Sequence, residues 1–223
     1  MKLVLNSFFI CFVVFCSPVL GESFSKTYLI KSSGIKIGKL DWEVVIDDKK
    51  YSNDLRLKSE GILSIIYNFE GEYSSEGGVE NNKLRPTKYT HLWKTNKTTK
   101  KMNLVFQNNK LKSLDQFPIE EERLRADVFG IKETKDPISS FLQIVMGHNM
   151  SLVVDGRRIY TMNAFVNKDL NQTSIELLDY LNLWADHKRT KFEKIAFEKK
   201  AGGFLPSKIL IYFDKRIFKL EEF

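Results

Sequence analysis

Apolar residues recur at every second position along most of this chain, with polar residues between them. Leu40, Trp42 and Val44 fall on one side of such a segment, whereas Asp41 and Glu43 fall on the other. Successive side chains of a β-strand point to opposite faces, so this alternation predicts antiparallel strands with one buried and one solvated face. The pattern begins at Leu40 and predicts further strands at residues 51–57, 67–73, 89–94 and 102–107.

The second half of the chain continues the strand pattern. It predicts strands at residues 157–166, 174–183, 192–198 and 208–213, and a last strand ending at Leu220. Segment 174–184, SIELLDYLNLW, is ambiguous, because its apolar residues fit a helix nearly as well as a strand. We expect a strand there because strands flank it. Residues 108–110, Asn-Asn-Lys, predict a hairpin turn.

One segment has helical periodicity instead. Asp136 is a typical N-cap, Pro137 suits the first helical position, and Gly147 suits the end of the helix. The apolar residues between them recur at helical spacing and form one stripe: Ile138, Phe141, Leu142, Val145 and Met146. Residues 120–127 fit either a second helical turn or a solvated loop.

These elements predict a mainly β fold. Nine or ten strands joined by short loops favour a strongly curved antiparallel sheet, an open or half barrel, with the one amphipathic helix packed on it. A closed barrel is the near alternative.

The N-terminus has the pattern of a secretory signal peptide. Lys2 precedes an apolar run that ends at small residues, which predicts a signal peptide at residues 1–21 with cleavage before Glu22. The alternative is a membrane anchor, but the apolar run is shorter than the ~20 residues that a bilayer requires. We therefore expect an exported, periplasmic protein with no transmembrane span after cleavage, whose residues 22–223 form a single β-rich domain.

The positions of the cysteines and the net charge exclude two further classes of function. Both cysteines, Cys11 and Cys16, lie in the predicted signal peptide, so the mature chain has neither disulfides nor thiol chemistry. The formal net charge of the whole chain is +7. An exported protein with scattered lysines is not expected to bind nucleic acid. Its charge fits ordinary solubility, with mild attraction to lipid or to another anionic envelope component.

Two adjacent arginines follow the turn residues Asp155 and Gly156. Neighbouring strand residues face opposite ways, so one of Arg157 and Arg158 shares a face with Tyr160 and Met162. That arginine either binds a carboxylate or phosphate at the mouth of an apolar cavity, or is a structural residue paired with an acid such as Asp155.

No motif predicts catalysis. His91, His148 and His187 have no metal-ligand spacing, and Asp186 beside His187 is not accompanied by a nucleophile motif. We therefore expect a protein that is not an enzyme and that has no cofactor and no metal site. A hydrolase of envelope polymers is the enzymatic alternative; it requires these residues to cluster in a cleft.

Several segments together resemble the bacterial exported domain-of-unknown-function family 3108. These segments are YLIKSSGIKIGKLDWEV, SEGILSIIYNFEGEYSSE, DPISSFLQIV, VVDGRRIYTM and LPSKILIYF with FKLEEF at the C-terminus. The resemblance implies a periplasmic or envelope protein of a Gram-negative bacterium, and it implies neither an activity nor a cofactor. Many relatives have a cysteine in the second half of the chain, which this mature chain lacks.

The leading functional hypothesis is a non-enzymatic binder of an amphipathic, lipid-like envelope molecule in the concavity of the sheet. The apolar faces near Trp42 and Trp93, with Tyr67 and Phe69, would line the site, and Arg157 or Arg158 would contact a head group. Tyr160 completes the candidate residues. The alternative is a structural or assembly partner of an envelope protein complex without a small ligand; it predicts a filled core and an exposed apolar patch or edge strand.

Overall fold

The computed structural model describes residues 21–61, 64, 68–184 and 192–223. The predicted signal peptide lies outside these residues, apart from Gly21. Among the residues described, no helix is both long and apolar enough to cross a membrane.

The described part of the chain forms fourteen strands and helix α1 (Pro137–Val145), which lies between the eighth and ninth strands. In chain order the strands are β1 (Glu22–Ser32), β2 (Ile35–Ile46), β3 (Lys50–Ser59), β4 (Phe69–Glu80), β5 (Lys83–Thr95), β6 (Thr99–Gln107), β7 (Lys110–Phe117), β8 (Thr134–Lys135), β9 (Met150–Val154), β10 (Arg158–Asn167), β11 (Gln172–Asn182), β12 (Phe192–Glu198), β13 (Lys208–Phe213) and β14 (Arg216–Glu222).

All fourteen strands belong to one sheet, in the order β7-β6-β5-β4-β3-β2-β1-β14-β13-β12-β11-β10-β9-β8. Neighbouring strands are antiparallel except β8 and β9, which are parallel. The two edges of the sheet approach each other again at a bridge between Lys110 and Lys132, so the sheet closes almost completely into a barrel. The predicted mainly β fold with a strongly curved antiparallel sheet and a packed helix is confirmed.

The predicted number of strands, nine or ten, is wrong. The prediction gave no strand for β1, β8 and β9, and for β7 it gave only the turn that precedes it. Strand β8 has only two residues and pairs in parallel with β9, so neither its length nor its pairing produces a local pattern. Strand β9, MSLVV, is buried on both faces near its end, which removes the alternation that marks the other strands.

The ambiguous segments have definite structures. The strand predicted at residues 174–183 is confirmed as β11, which pairs with β10 and β12. Residues 120–127 form a loop, not a helical turn. The predicted hairpin turn between β6 and β7 is confirmed, and Asn108 and Asn109 have positive φ angles of 52° and 59°. Asparagine tolerates this left-handed conformation better than most residues, which fits a tight two-residue hairpin.

Helix α1 begins and ends where the sequence predicts. The Asp136 side chain accepts hydrogen bonds from the backbone N–H groups of Ile138 and Ser139, and Pro137 occupies the first turn. Gly147 follows the C-cap with a φ of +101°, a conformation in which glycine carries no steric cost.

The polar face of α1 is as buried as its apolar stripe. Ser139 and Ser140 are fully buried and Gln143 is 2% exposed, although an amphipathic helix on a sheet would direct these residues to solvent. The nearly closed sheet surrounds the helix, and the strands provide the hydrogen-bond partners. Gln143 accepts from the Leu84 N–H at 2.7 Å, and the Ser151 hydroxyl donates to Ser140 at 2.9 Å.

A buried hydrogen-bond network holds the N-terminal half of α1 against β3 and β4. The Ser75 hydroxyl donates to Asp136 at 2.8 Å, and the Tyr51 and Ser139 hydroxyls lie 2.8 Å apart. Asn53 donates to the Ile138 carbonyl at 2.9 Å. Buried polar groups are costly unless paired, so these contacts fix both the depth and the rotation of the helix.

The helix occupies one end of the barrel. Near its C-terminus, Gln143 and His148 both donate to the Asn82 carbonyl in the turn between β4 and β5. We call this the helix end. The opposite end carries the turn between β9 and β10 and is called the arginine end. The interior between the helix and the arginine end contains the candidate site.

Candidate functional site

Two adjoining cavities lie inside the barrel, between α1 and the arginine end. The larger, called the apolar lobe, has a volume of about 490 Å³. The smaller, called the polar lobe, has a volume of about 410 Å³. Six residues line both lobes, which therefore form one continuous site: Tyr73, Pro137, Ile138, Asp155, Arg158 and Tyr160.

The inward faces of the strands and one side of the helix enclose the apolar lobe. Phe141 of α1 stacks on Trp42 of β2 with ring centroids 5.5 Å apart, and both line the lobe. The Trp42 indole is 1% exposed and donates to Asn53 at 2.7 Å, which holds its ring in place. Aliphatic side chains from the C-terminal strands complete the lining: Met162, Leu177, Ile195, Ile209, Ile211 and Leu220.

Among the residues that the structure describes, the lining of the polar lobe has an excess of positive charge. Its lining includes four cationic residues and one carboxylate: Lys100, Lys101, Arg157, Arg158 and Asp155. Lys100 at the start of β6 is exposed, whereas Met102, two residues further along the strand, is buried. The charge therefore lies toward the arginine end, and the apolar surface lies toward the helix.

The turn between β9 and β10 positions the arginines. Asp155 Oδ1 accepts hydrogen bonds from the backbone N–H groups of Arg157 and Arg158 at 2.8 and 2.7 Å. Gly156 has a φ of +86°, and a β-carbon at this position would lie 2.2 Å from Met102 Sδ. The backbone conformation therefore favours glycine, and a β-carbon would also displace the flexible end of the Met102 side chain. Trp184 donates to the Gly156 carbonyl at 2.9 Å.

Arg158 is held loosely by its neighbours. Its Nη1 lies 3.8 Å from Asp155 Oδ2, and its guanidinium lies over the Tyr180 ring at 5.5 Å. Its Nε is buried and has no hydrogen-bond partner. Burial raises the pKa of the Asp155 carboxyl, and the backbone donors and neighbouring arginines oppose that shift. The structural pairing with Asp155 thus exists, but it uses only part of the hydrogen-bonding capacity of Arg158.

His91 adds an uncharged polar group to the polar lobe. Its ring stacks on Tyr73 with centroids 4.6 Å apart, and its Nε2 is buried without a hydrogen-bond partner. Burial, with the nearby positive charges of Lys100 and Arg157, lowers the pKa of His91 to about 4. His91 is therefore neutral at physiological pH.

The structure separates the residues that the sequence grouped together. Arg158, Tyr160 and Trp42 line the apolar lobe, and Arg158 shares its strand face with Tyr160 and Met162. Arg157 lines the polar lobe only. Trp93 lines neither lobe; it stacks on Phe69 with centroids 5.5 Å apart. Tyr67 lies outside the described residues.

The residues considered for catalysis do not form one cluster in the described part of the chain. His91 lines the polar lobe, whereas His148 lies near Asn82 at the helix end. Asp186 and His187 lie outside the described residues. No group of three or more metal-ligating side chains occurs within the residues that the structure covers.

Sequence reasoning missed several residues of the site. Tyr73, His91 and Met102 lie side by side on the inner face of β4, β5 and β6, in register with one another. Their strands were predicted, but only the strand pairing shows that these three residues line the polar lobe together with Arg158. Phe141 was recognised as part of the helix stripe, and its stacking on Trp42 required the tertiary structure.

Comparisons with known proteins give a similar solved structure and a family. No curated protein matches the chain. Among solved structures, the crystal structure of a β-barrel-like protein of domain of unknown function DUF1849 from Brucella abortus is similar, with 9% sequence identity and a TM-score of 0.48. The similarity covers 92% of this chain and 96% of that chain.

The family profile described as protein of unknown function DUF3108 matches residues 27–176. The match begins in β1 and extends into β11, and so includes α1 and the turn between β9 and β10. The resemblance drawn from the sequence segments is thereby confirmed, and the chain belongs to the DUF3108 family.

Proposed function

We propose that this protein is a non-enzymatic binder of an amphipathic, lipid-like molecule of the cell envelope. The apolar lobe holds the chain of the molecule, and the polar lobe faces its other end. The observation that carries the proposal is the apolar cavity of about 490 Å³ inside the barrel, continuous with a charged lobe. Ligand sites typically have volumes of about 300–1,000 Å³ and are mainly apolar with few polar groups.

The packing around the lobe supports a binding role. Protein interiors are close-packed, and side chains that line an empty cavity lose dispersion contacts. Beside the lobe, Tyr28, Val44 and Leu142 are all fully buried in the principal core of the same barrel. The apolar lobe, bordered by Phe141 and Arg158, is left unfilled next to this core, as in a preformed site.

A matched pair of tryptophan substitutions tests the proposal. Ile211→Trp places an indole in the apolar lobe, whereas Leu210→Trp alters the opposite face of the same strand. The probe is 11-dansylaminoundecanoic acid, whose fluorescence rises in an apolar site. We expect the wild type and Leu210→Trp to bind alike, and Ile211→Trp to bind at least about tenfold more weakly because its ligand volume is occupied.

Two results would contradict the proposal. One is the absence of saturable binding to the wild type; the other is equal binding by Ile211→Trp and Leu210→Trp when circular dichroism shows both to be folded. Native mass spectrometry of protein purified from a periplasmic fraction extends the test to the natural ligand. It also tests the proposed export, since the processed chain should begin at Glu22.

An assembly role is the second candidate, and the outer surface of the sheet favours it. Met150, Phe165 and Leu178 lie on β9, β10 and β11 and are 65%, 50% and 40% exposed. Exposed apolar patches commonly mark protein contacts. Repeated recovery of one envelope protein by the wild type but not by Phe165→Asp, with no lipid in the purified protein, would select this function over lipid binding.

A further inference from the structure

The polar lobe is built to accept negative charge. Among the lining residues that the structure describes, four are cationic and one is a carboxylate, so an anion near them meets a net attraction. Asp155 Oδ1 is already occupied by two backbone N–H groups, and only Oδ2 faces the Arg158 guanidinium. The single negative charge of Asp155 therefore offsets only part of the positive charge of the described lining.

Arg158 stands where the two lobes meet. It lines both of them, and its buried Nε has no hydrogen-bond partner in the fold. An arginine guanidinium presents its N–H donors in a planar fork that fits a carboxylate or phosphate. A group bound at this position would have its charged end in the polar lobe and its chain directed into the apolar lobe.

Two further residues suit an anionic group. Lys100 forms no ion pair with any residue that the structure describes, and it lies on the solvent side of the lobe. His91 presents a buried Nε2 without a partner, which can donate a hydrogen bond in the tautomer that protonates this atom. Both groups line the same lobe as Arg158.

We propose that the bound amphiphile carries an anionic head group, a carboxylate or a phosphate, which Arg158 and Lys100 hold in the polar lobe while its single chain occupies the apolar lobe. This inference rests on the proposed function and adds the class of ligand. Charge-assisted hydrogen bonds to a guanidinium are about twice as strong as neutral ones, so the head group contributes to affinity as well as to orientation.

Four amphiphiles with the same hexadecyl chain test the inference: hexadecanoic acid, hexadecyl phosphate, hexadecanol and hexadecyltrimethylammonium. The affinity of each for the wild type is measured by displacement of the dansyl probe, at concentrations below those at which the amphiphile forms micelles. We expect at least one of the two anions to bind about tenfold or more tightly than the alcohol, and the cation to bind most weakly.

Variants identify the residues responsible. Arg158→Met and Lys100→Met should each lower the ratio of anion affinity to hexadecanol affinity, whereas Arg216→Met, at an exposed arginine outside both lobes, should leave that ratio unchanged. Arg158→Lys keeps the charge and should retain part of the preference. It also keeps the test valid if Arg158→Met does not fold.

The outcomes separate the two proposals. If all four amphiphiles bind equally, the inference about the head group is wrong and the proposed function stands. If none binds, the proposed function itself fails. Acetate or inorganic phosphate binding as tightly as the amphiphiles would show a site for free anions and would also overturn the inference. A preference for one anion over the other assigns the head group to carboxylate or phosphate.

Discussion

Replacing Asp136 tests whether the buried hydrogen-bond network fixes the helix inside the barrel. The Asp136 carboxylate accepts from two backbone N–H groups at the start of α1 and from the hydroxyls of Ser75 and Ser139. Asp136→Ala removes all four acceptor contacts in one step, whereas Asp136→Asn retains one carbonyl oxygen for the backbone donors.

The contacts give the expected magnitude. Loss of an N-cap costs about 1 kcal/mol, and a buried donor left without an acceptor costs about 1–3 kcal/mol. Ser75 and Ser139 can still bond to each other and to Tyr51, which limits the second contribution. Burial also raises the pKa of Asp136, so removal of its charge returns part of the loss. We therefore expect Asp136→Ala to lower the free energy of unfolding by about 3 kcal/mol and Asp136→Asn by about 1 kcal/mol.

Urea unfolding followed by tryptophan fluorescence measures these changes. Asp47→Ala is the matched control, because Asp47 also accepts two backbone N–H groups but lies at the surface, in the turn between β2 and β3. We expect Asp47→Ala to lower the free energy of unfolding by clearly less than Asp136→Ala does. If Asp136→Ala lowers the free energy of unfolding no more than Asp47→Ala does, while the slope of that free energy against urea concentration is unchanged, the network does not stabilise the fold as argued.

Two further predictions concern the arginine end. Because burial and the nearby cations lower the pKa of His91 from 6.5 to about 4, the unfolded chain binds more protons than the folded chain between these pH values, and stability falls as the pH falls through that window. His91→Gln should abolish about 2 kcal/mol of this acid-induced loss of stability, allowing for the partial exposure of the ring. If the free energies of unfolding of wild type and His91→Gln change in parallel with pH, His91 is not the group responsible. Gly156→Ala should lower the free energy of unfolding by about 1–2 kcal/mol because of the left-handed backbone, and further because the new methyl group displaces Met102. Gly202→Ala, with a φ of +72° and no atom within 4 Å, is the control, and equal melting temperatures of the two variants would show that the contact with Met102 costs nothing.

Local sequence signals predicted those parts of the fold that depend on local physics. Alternation identified the inward face of β2 with Trp42, and the Asp136–Pro137 pair identified the start of α1. The burial of Ser140 and Gln143 could not be predicted, because their partners lie on β9 and β5, and only the tertiary structure brings these strands against the helix. A polar helix face is normally exposed, and only the closure of the sheet reverses that expectation.

The candidate site was predicted only in part, because local signals show which residues share a strand face but not which strands meet. Strand alternation showed that one of the two adjacent arginines shares a face with Tyr160, and the structure shows that it is Arg158, on the inner face. Trp93 and Trp42 have similar local patterns, yet only Trp42 lies beside Phe141 of the helix. Which inward residues border a cavity depends on how deeply α1 lies inside the barrel, and no local pattern contains that depth.

The pairing of β1 with β14 places the two chain ends in the middle of the sheet, and its free edges come from the middle of the chain. Strands β2 to β7 each pair with the strand that precedes them, so this half of the sheet grows by short-range hairpin steps. The contact between Ile30 and Leu220 closes a loop of almost the whole domain. One side of β1 therefore has no partner until β14 has been synthesised, and until then this strand edge is open to association with other extended chains.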